Sequence, residues 1–512
     1  MRSMLRSSAM VCLGWLCVAA PAAAAESPFD VVEIETAGRT VAAELVDLNG
    51  DGRLDLMQVE FVGVPPREER WIRVFLHKDG ALPTKPDRVY PLPEGSATFD
   101  LADVMPDPGD EMILLRRGGL MLLSLGHEPV RTHELLVPGG VTLAAAADER
   151  GMDRLRIAWQ GLGDGLWLLI PGPGETIALS PAGEVVARFQ VGLRANYFVP
   201  TRPGPMTVES ELQLFFDVPR MHVGDVDGDG RSDVVAASRH DLRVFLRQQD
   251  GGFASAPDRV VPLGRVSESD HIRGSGAVRI DITELDGDGR LDVLVSQVSG
   301  SLLATRTETT VHLNREGHWN LADPDQRFEN NGAWTAEQLI DLDSDGRLEL
   351  VRISVRFSLL EVVEALVQRA IDADVEIHRA AEDGTFAVKP WVKRKFAIPL
   401  NFDTGRPRGF MPTFNVDVNS DGFLDLMASG DGDAVEVWLG GPEHRFGRRV
   451  ARQELDTEGR ISFGDLEDDG LSDFVLYAPA QPGRALLVGR NRGLLPGSPQ
   501  RIRSVGAEGG DE

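Results

Sequence analysis

The chain has 512 residues, with 53 Lys and Arg set against 80 Asp and Glu, for a formal net charge of −27 at pH 7. A chain this acidic is repelled by nucleic-acid phosphates and by anionic membrane surfaces, which excludes both as partners. Its two cysteines, Cys12 and Cys17, both fall within the first 25 residues, so no disulfide framework is available to the rest.

Residues 1–25 read as a secretory leader. Arg2 and Arg6 precede an apolar stretch from Met10 to Ala20, and Ala23-Ala24-Ala25 forms a small-residue cleavage site. The apolar stretch is short and breaks at Pro21, so the expectation is cleavage after Ala25 and no transmembrane anchor in the mature chain. The destination is periplasmic, cell-surface or extracellular. An exported chain without disulfides needs another source of stability, and bound metal can supply it.

Beyond the leader, Phe29 to Thr36 reads as a strand placed to complete the last unit of a closed ring. The pattern D-x-[DN]-x-D-G-x-x-[DE] then recurs six times, each copy opening on Asp or Glu and running into an apolar strand. Its oxygen-bearing positions 1, 3, 5 and 9, with position 7 contributing a carbonyl, are in turn Asp47, Asn49, Asp51, Asp55 and Arg53; Asp225, Asp227, Asp229, Asp233 and Arg231; Glu284, Asp286, Asp288, Asp292 and Arg290; Asp341, Asp343, Asp345, Glu349 and Arg347; Asp417, Asn419, Asp421, Asp425 and Phe423; Asp465, Glu467, Asp469, Asp473 and Leu471. Such a set can wrap a hard cation that takes six to eight oxygens, and Gly at position 6 permits the sharp turn. The implied cofactor is Ca²⁺ at about six sites.

Asp, Asn and Gly also make ordinary turns, but six copies with carboxylates at the same offsets favour metal binding. A helix–loop–helix calcium hand requires a bidentate Glu at position 12. That position holds Gln58, Ala236, Val295, Arg352, Ala428 and Leu476, and the residues after position 9 are apolar and β-branched or aromatic. The loops therefore join strands. Arg at position 7 in four copies is free of the metal, and charge compensation beside the carboxylates is favoured over an anion site.

Two further units keep the strands and lose the loop chemistry: around Asp103, where Met105 takes a ligand position, and around Asp148. Longer similarities follow each loop, as in the pair starting at Arg73 and Arg243. Eight units of about four strands each predict an all-β fold, a β-propeller with eight blades favoured and seven as the alternative; an open solenoid is disfavoured because neither end shows a polar cap. One departure is the stretch from Ser358, where Glu361, Glu364 and Gln368 lie on one side of an apolar helix pattern, predicting a short helical insertion over about 358–372.

On these loops and strands the chain resembles the FG-GAP/VCBS-type repeat proteins, whose integrin α-subunit relatives form calcium-bearing β-propellers. The resemblance implies secretion or surface exposure, and cations at the six loops but not near Asp103 or Asp148. Family members differ in function, so fold and metal follow more firmly than activity.

The residues that usually carry chemistry are scarce. His127-Glu128 and His133-Glu134 lack the HExxH spacing, and no G-x-S-x-G elbow, P-loop or dinucleotide fingerprint occurs. His222, His312 and His444 read as strand or loop residues. No catalytic residue is assigned. The favoured function is a non-catalytic, exported calcium-binding propeller serving as a binding, adhesion or scaffold module for protein or glycan. The alternatives are a lyase-like polysaccharide-active enzyme on such a propeller and a structural component of an envelope assembly.

Overall fold

The computed structural model describes residues 27–499 apart from 65–66, 79, 142–151, 163–164, 193, 199–212, 265–275, 301–304, 331–333, 356–368, 402–405 and 443–445. The leader, Asp148, His444 and most of the expected helical insertion lie outside the described residues.

Among the described residues every regular element is a strand, and the strands gather into eight antiparallel blades in chain order. Blade 1 runs from Arg39 to Pro91, blade 2 from Thr98 to Leu136, blade 3 from Ala158 to Phe189 and blade 4 from Arg220 to Pro262. Blade 5 runs from Gly276 to Asn330, blade 6 from Trp334 to Asn401, blade 7 from Thr413 to Glu454 and blade 8 from Arg460 to Asn491. Blade 8 takes its fourth strand from the other end of the chain, where Phe29–Ile34 pairs antiparallel with Leu486–Asn491. Eight blades replace the seven-bladed alternative, and the strand after the leader sits where the sequence placed it.

The second strand of each blade has neighbours on both faces, and its sequence shows it. Asp233–Ala237, Glu349–Val355 and Asp473–Tyr477 are buried at every position, as expected of continuous apolar runs sandwiched between layers. Fourth strands alternate instead, as in Arg88–Pro91 and Arg259–Pro262, because one edge and one face meet water.

Eight apolar clusters fill the eight seams between consecutive blades. The cluster that closes the ring joins Val475, Tyr477 and Val488 of blade 8 to Ala43, Leu56 and Phe75 of blade 1. Each fully buried Val, Leu or Phe in such a seam contributes roughly 1.5–3 kcal/mol of transfer free energy. An open solenoid would leave this last cluster in water. The seams are close enough that a Cβ built on Gly464 would stand 2.7 Å from Leu54, and one on Gly224 2.8 Å from Leu291, each a leucine of the following blade.

Three pieces depart from a bare eight-by-four plan. Asp153–Arg154 adds to blade 2 in parallel with Thr98–Phe99, Arg406–Pro407 extends blade 6, and Arg194–Phe198 pairs with Gln213–Asp217 as a hairpin between blades 3 and 4. The far end of the expected helix is also shortened. Ala370–His378 is a strand paired with both neighbours in blade 6, so residues 370–372 belong to the sheet.

Candidate metal centres on the blade rims

Each of the six acidic loops connects the first strand of its blade to the second, in blades 1, 4, 5, 6, 7 and 8. This shared placement puts all six at the same end of their sheets. They also share one backbone course: position 6 is left-handed in every copy, with φ between +78° and +85°. Position 4 is left-handed too, whether it is Gly50, Gly228 and Gly287 or the non-glycine residues Ser344, Ser420 and Asp468.

The carboxylates impose that course. The position-1 carboxylate accepts the position-6 amide in five of the loops: Gly52 and Gly230 donate to Asp47 and Asp225 at 2.8 and 2.7 Å, and Gly346, Gly422 and Gly470 donate to Asp341, Asp417 and Asp465 at 2.7–3.0 Å. In the Glu284 loop the position-4 amide of Gly287 is the donor to position 1. The position-5 carboxylate accepts the position-7 amide in all six, from Arg53, Arg231, Arg290, Arg347, Phe423 and Leu471, at 2.8–3.1 Å. These bonds fold the side chains of positions 1 and 5 back over the turn.

Three loops bring three carboxylates together with one oxygen of each within 4.8 Å of the others: Asp225, Asp227 and Asp229; Glu284, Asp286 and Asp292; Asp341, Asp343 and Glu349. In the other three, position 3 differs. Asn49 and Asn419 offer an amide oxygen, and Glu467 lies 3.5 Å from the Arg490 guanidinium. Arg53, Arg231 and Arg290 at position 7 each bond the position-5 carboxylate of their own loop, whereas Arg347 lies 3.7 Å from Glu382.

Position 9 has a second role that sequence reasoning missed. Asp55, Asp233, Asp292, Glu349, Asp425 and Asp473 are at most 2 % exposed. One oxygen of each accepts the position-2 amide, from Leu48, Val226, Leu285, Leu342, Val418 and Leu466. The other oxygen, in five of them, accepts an amide just past the third strand: that of His77, Arg247, Asn314, Gly440 or Asn491. The residue pins its loop to the sheet. In blade 2, where Met105 replaces the position-3 ligand, Glu111 still does this, accepting the Val104 and Met105 amides and the Ser124 hydroxyl. That persisting acid was the signal available in the sequence.

Burial raises these position-9 acids, to about 6 for Asp55 and Asp233 and about 7 for Asp292, Glu349, Asp425 and Asp473, although their backbone donors pull the other way.

The donor set of each loop is oxygen only, as a hard divalent cation requires. One side chain tests the fit directly. Asn419 is 1 % exposed, its Nδ2 donates to Asp421 Oδ2 and Pro496 O, and its Oδ1 is buried without a hydrogen-bond partner. A buried amide oxygen left bare costs free energy, and a cation at this loop would satisfy it.

His312 has Asn320 O and Thr310 Oγ1 at 2.9 Å from its two ring nitrogens. Burial lowers His222 to about 4. His127 faces Asp107 at 3.3 Å, which Arg131 also approaches. A recess of about 530 Å³ opens between the inner strands of blades 2 and 3, bordered by Asp100, Leu101, Arg154, Arg156, Gln160 and Leu166. There the Arg156 guanidinium lies 3.9 Å over the Trp159 ring, and Arg154 bonds Glu44 of blade 1 at 2.8 Å.

The fold and its rim loops define a β-propeller with acidic turns at the blade entries. A family model described as FG-GAP-like repeat matches residues 225–295 and 284–351, so the chain carries FG-GAP-like repeats over that stretch. A search of curated proteins finds no match. Among solved structures, the chain is similar to the V. cholerae biofilm matrix protein Bap1, at 13% identity over 91% of this chain and 81% of that one, with a TM-score of 0.28. Sqt1 from Chaetomium thermophilum matches at 11% identity over 91% and 100% of the two chains, with a TM-score of 0.42. The Pseudomonas aeruginosa periplasmic gluconolactonase PpgL matches at 12% over 85% and 100%, with a TM-score of 0.31. Likenesses this remote carry no argument about function. Among the described residues no helix is long and apolar enough to cross a membrane.

Proposed function

We propose that the chain is an exported calcium-binding β-propeller that acts without catalysis, presenting its surface to a protein or glycan as a binding, adhesion or scaffold module. The observation that carries this reading is the repetition of one oxygen-lined turn at six blade entries, with the bare Asn419 Oδ1 inside one of them. Export rests on the leader pattern of residues 1–25.

Each cation would neutralise three or four neighbouring carboxylates and fix the entry of the second strand. At a Kd of about 0.1 mM, about 1 mM free calcium stabilises the fold by roughly 1.4 kcal/mol per site. The recess between blades 2 and 3 is the place for a polar ligand: the Arg156 guanidinium, 3.9 Å over the Trp159 ring, borders it and is suited to a carboxylate or hydroxyl pair.

Equilibrium dialysis of the processed protein at millimolar calcium tests the cation, with several ions bound per chain as the expected result and none as the refuting one. A glycan array that includes acidic sugars, run with wild type and Arg156→Ala, tests the binding role. Retained binding by the variant would move the ligand away from that recess.

A further inference from the structure

Adjacent rim loops are tied to each other through their backbones. In blade 8 the Ser472 amide, at position 8, donates to the Asp417 carbonyl at position 1 of the blade 7 loop (3.0 Å), and the Asp417 amide donates back to Ser472 Oγ (3.2 Å). Asn491 adds a strap: its Nδ2 donates to Val418 O at 2.7 Å, while its own amide is held by Asp473. Between blades 7 and 6 the Leu424 amide donates to Leu342 O at 3.1 Å and Ser344 Oγ donates to Gly422 O at 2.6 Å.

Blades 5 and 4 repeat the device. The Leu291 amide donates to Asp225 O at 2.8 Å and Asn314 Nδ2 donates to Val226 O at 2.8 Å. Among the described residues the blade 1 loop is tied at Asp47 O by the Asp110 amide of blade 2, whose loop has Met105 in place of the position-3 ligand. Among the described residues the corresponding amides of Leu348 and Leu54 make no such bond, so the ties stop between blades 5 and 6 and between blades 8 and 1.

We propose that the rim loops take up calcium in coupled groups, blades 6, 7 and 8 as a trio and blades 4 and 5 as a pair, with the blade 1 loop independent. This rests on the calcium reading above, for which the bare, buried Asn419 Oδ1 in the middle loop of the trio is the observation independent of the acidic cluster. Without a cation, the clustered carboxylates of a loop repel and its backbone samples more conformations. Binding orders the loop and with it the position-1 carbonyl. That carbonyl, or in the blade 6 loop the Leu342 carbonyl at position 2, is the acceptor for the neighbour's position-8 amide, one residue before the buried position-9 anchor. The second loop is therefore partly ordered before its own ion arrives, and its affinity rises. Reciprocity requires that the influence run both ways.

The test follows calcium titrations of the calcium-free full chain by hydrogen exchange, reading the midpoint of each loop separately, with dialysis counting ions. In wild type the loops of blades 6, 7 and 8 should protect together, with a Hill coefficient of about 1.5 to 2.5. Asp421→Ala should remove the blade 7 ion and shift the midpoints of both the Asp341 and Asp465 loops to higher calcium by about 5-fold or more. The Asp47 and Asp225 loops should stay in place. Asp229→Ala should shift the Glu284 loop alone. The double variant Ser344→Ala/Ser472→Ala keeps every carboxylate and should keep the ion count while flattening the trio's curve.

Ions bound with independent midpoints, and neighbours unmoved by Asp421→Ala, would overturn the coupling and leave the calcium reading intact. No ion bound at any concentration would overturn both.

Discussion

Arg352 Nε lies 3.6 Å from Glu337 Oε1 in the seam between blades 5 and 6, with both side chains at most 4 % exposed. Thr309 of blade 5 donates its hydroxyl to the same Glu337 oxygen, and Arg352 also stands 5.3 Å from the Phe328 ring centre. Glu337 Oε2 and Arg352 Nη2 are buried without partners.

Removing one member of that pair leaves the other charged and buried, which costs about 3–5 kcal/mol, whereas replacing both by apolar residues of similar volume is close to neutral. Glu337→Leu should therefore lower the midpoint of chemical unfolding strongly. Glu337→Leu/Arg352→Met should recover most of the loss. A double variant as unstable as the single one would show that the pair itself is needed.

Position 9 and position 5 should separate cleanly on mutation. Asp473→Ala strands the buried amides of Leu466 and Asn491, at about 1–3 kcal/mol each. It should destabilise the protein with or without calcium. Asp469→Ala removes the acceptor of the Leu471 amide in a half-buried turn and should cost less in chelator than in calcium. Thermal melts of both variants in chelator and in calcium check this, and equal losses for the two in chelator would contradict the anchor role.

The six position-9 acids also set a pH dependence for the calcium-free protein. Their folded pKa values, about 6 to 7, stand above the ordinary carboxylate values of the unfolded chain. The folded state then binds more protons between about pH 4 and 7, so this contribution is complete below the unfolded pKa and is lost as pH rises through the folded one. Melting temperature in calcium-free buffer should fall from pH 5 to pH 7.5, and added calcium should restore it most at the higher pH. A calcium-free melting temperature that climbs across that range would refute the assignment.

Deleting residues 26–34 from the processed chain removes the outer strand of blade 8 and bares the edge of Leu486–Asn491. It also takes Phe29 and Ile34 out of two seam clusters. The shortened protein should melt several degrees lower and associate in size-exclusion chromatography, since an unpaired apolar edge recruits other chains. A monomer of unchanged stability would mean that closure does not depend on this strand.

The ring and the rim loops were legible because both repeat: the same offsets of Asp, Asn and Gly mark each turn, and the apolar runs after Asp55, Asp233 and Asp473 mark each second strand. Blade 2 was legible as a blade despite Met105, because its strands kept their pattern. The anchoring use of position 9 was hidden because a buried carboxylate and a ligating one are the same letter, and Glu111, retained where Met105 has replaced the position-3 ligand, is the one hint that tells them apart. The ties from Ser472 to Asp417 and from Leu291 to Asp225 are made by main-chain groups, which side-chain identity does not encode. The helix pattern from Ser358 was extended too far at its end, where Ile371, Ala373, Val375 and Ile377 alternate with period two and belong to a strand.

The pairing of Phe29–Ile34 with Leu486–Asn491 has a bearing on biogenesis. The first described strand is matched with the last, so seven blades can form before the eighth is complete. Closing so long a loop delays the final contact, and folding rates fall as contacts become less local. Until then both free edges stand exposed.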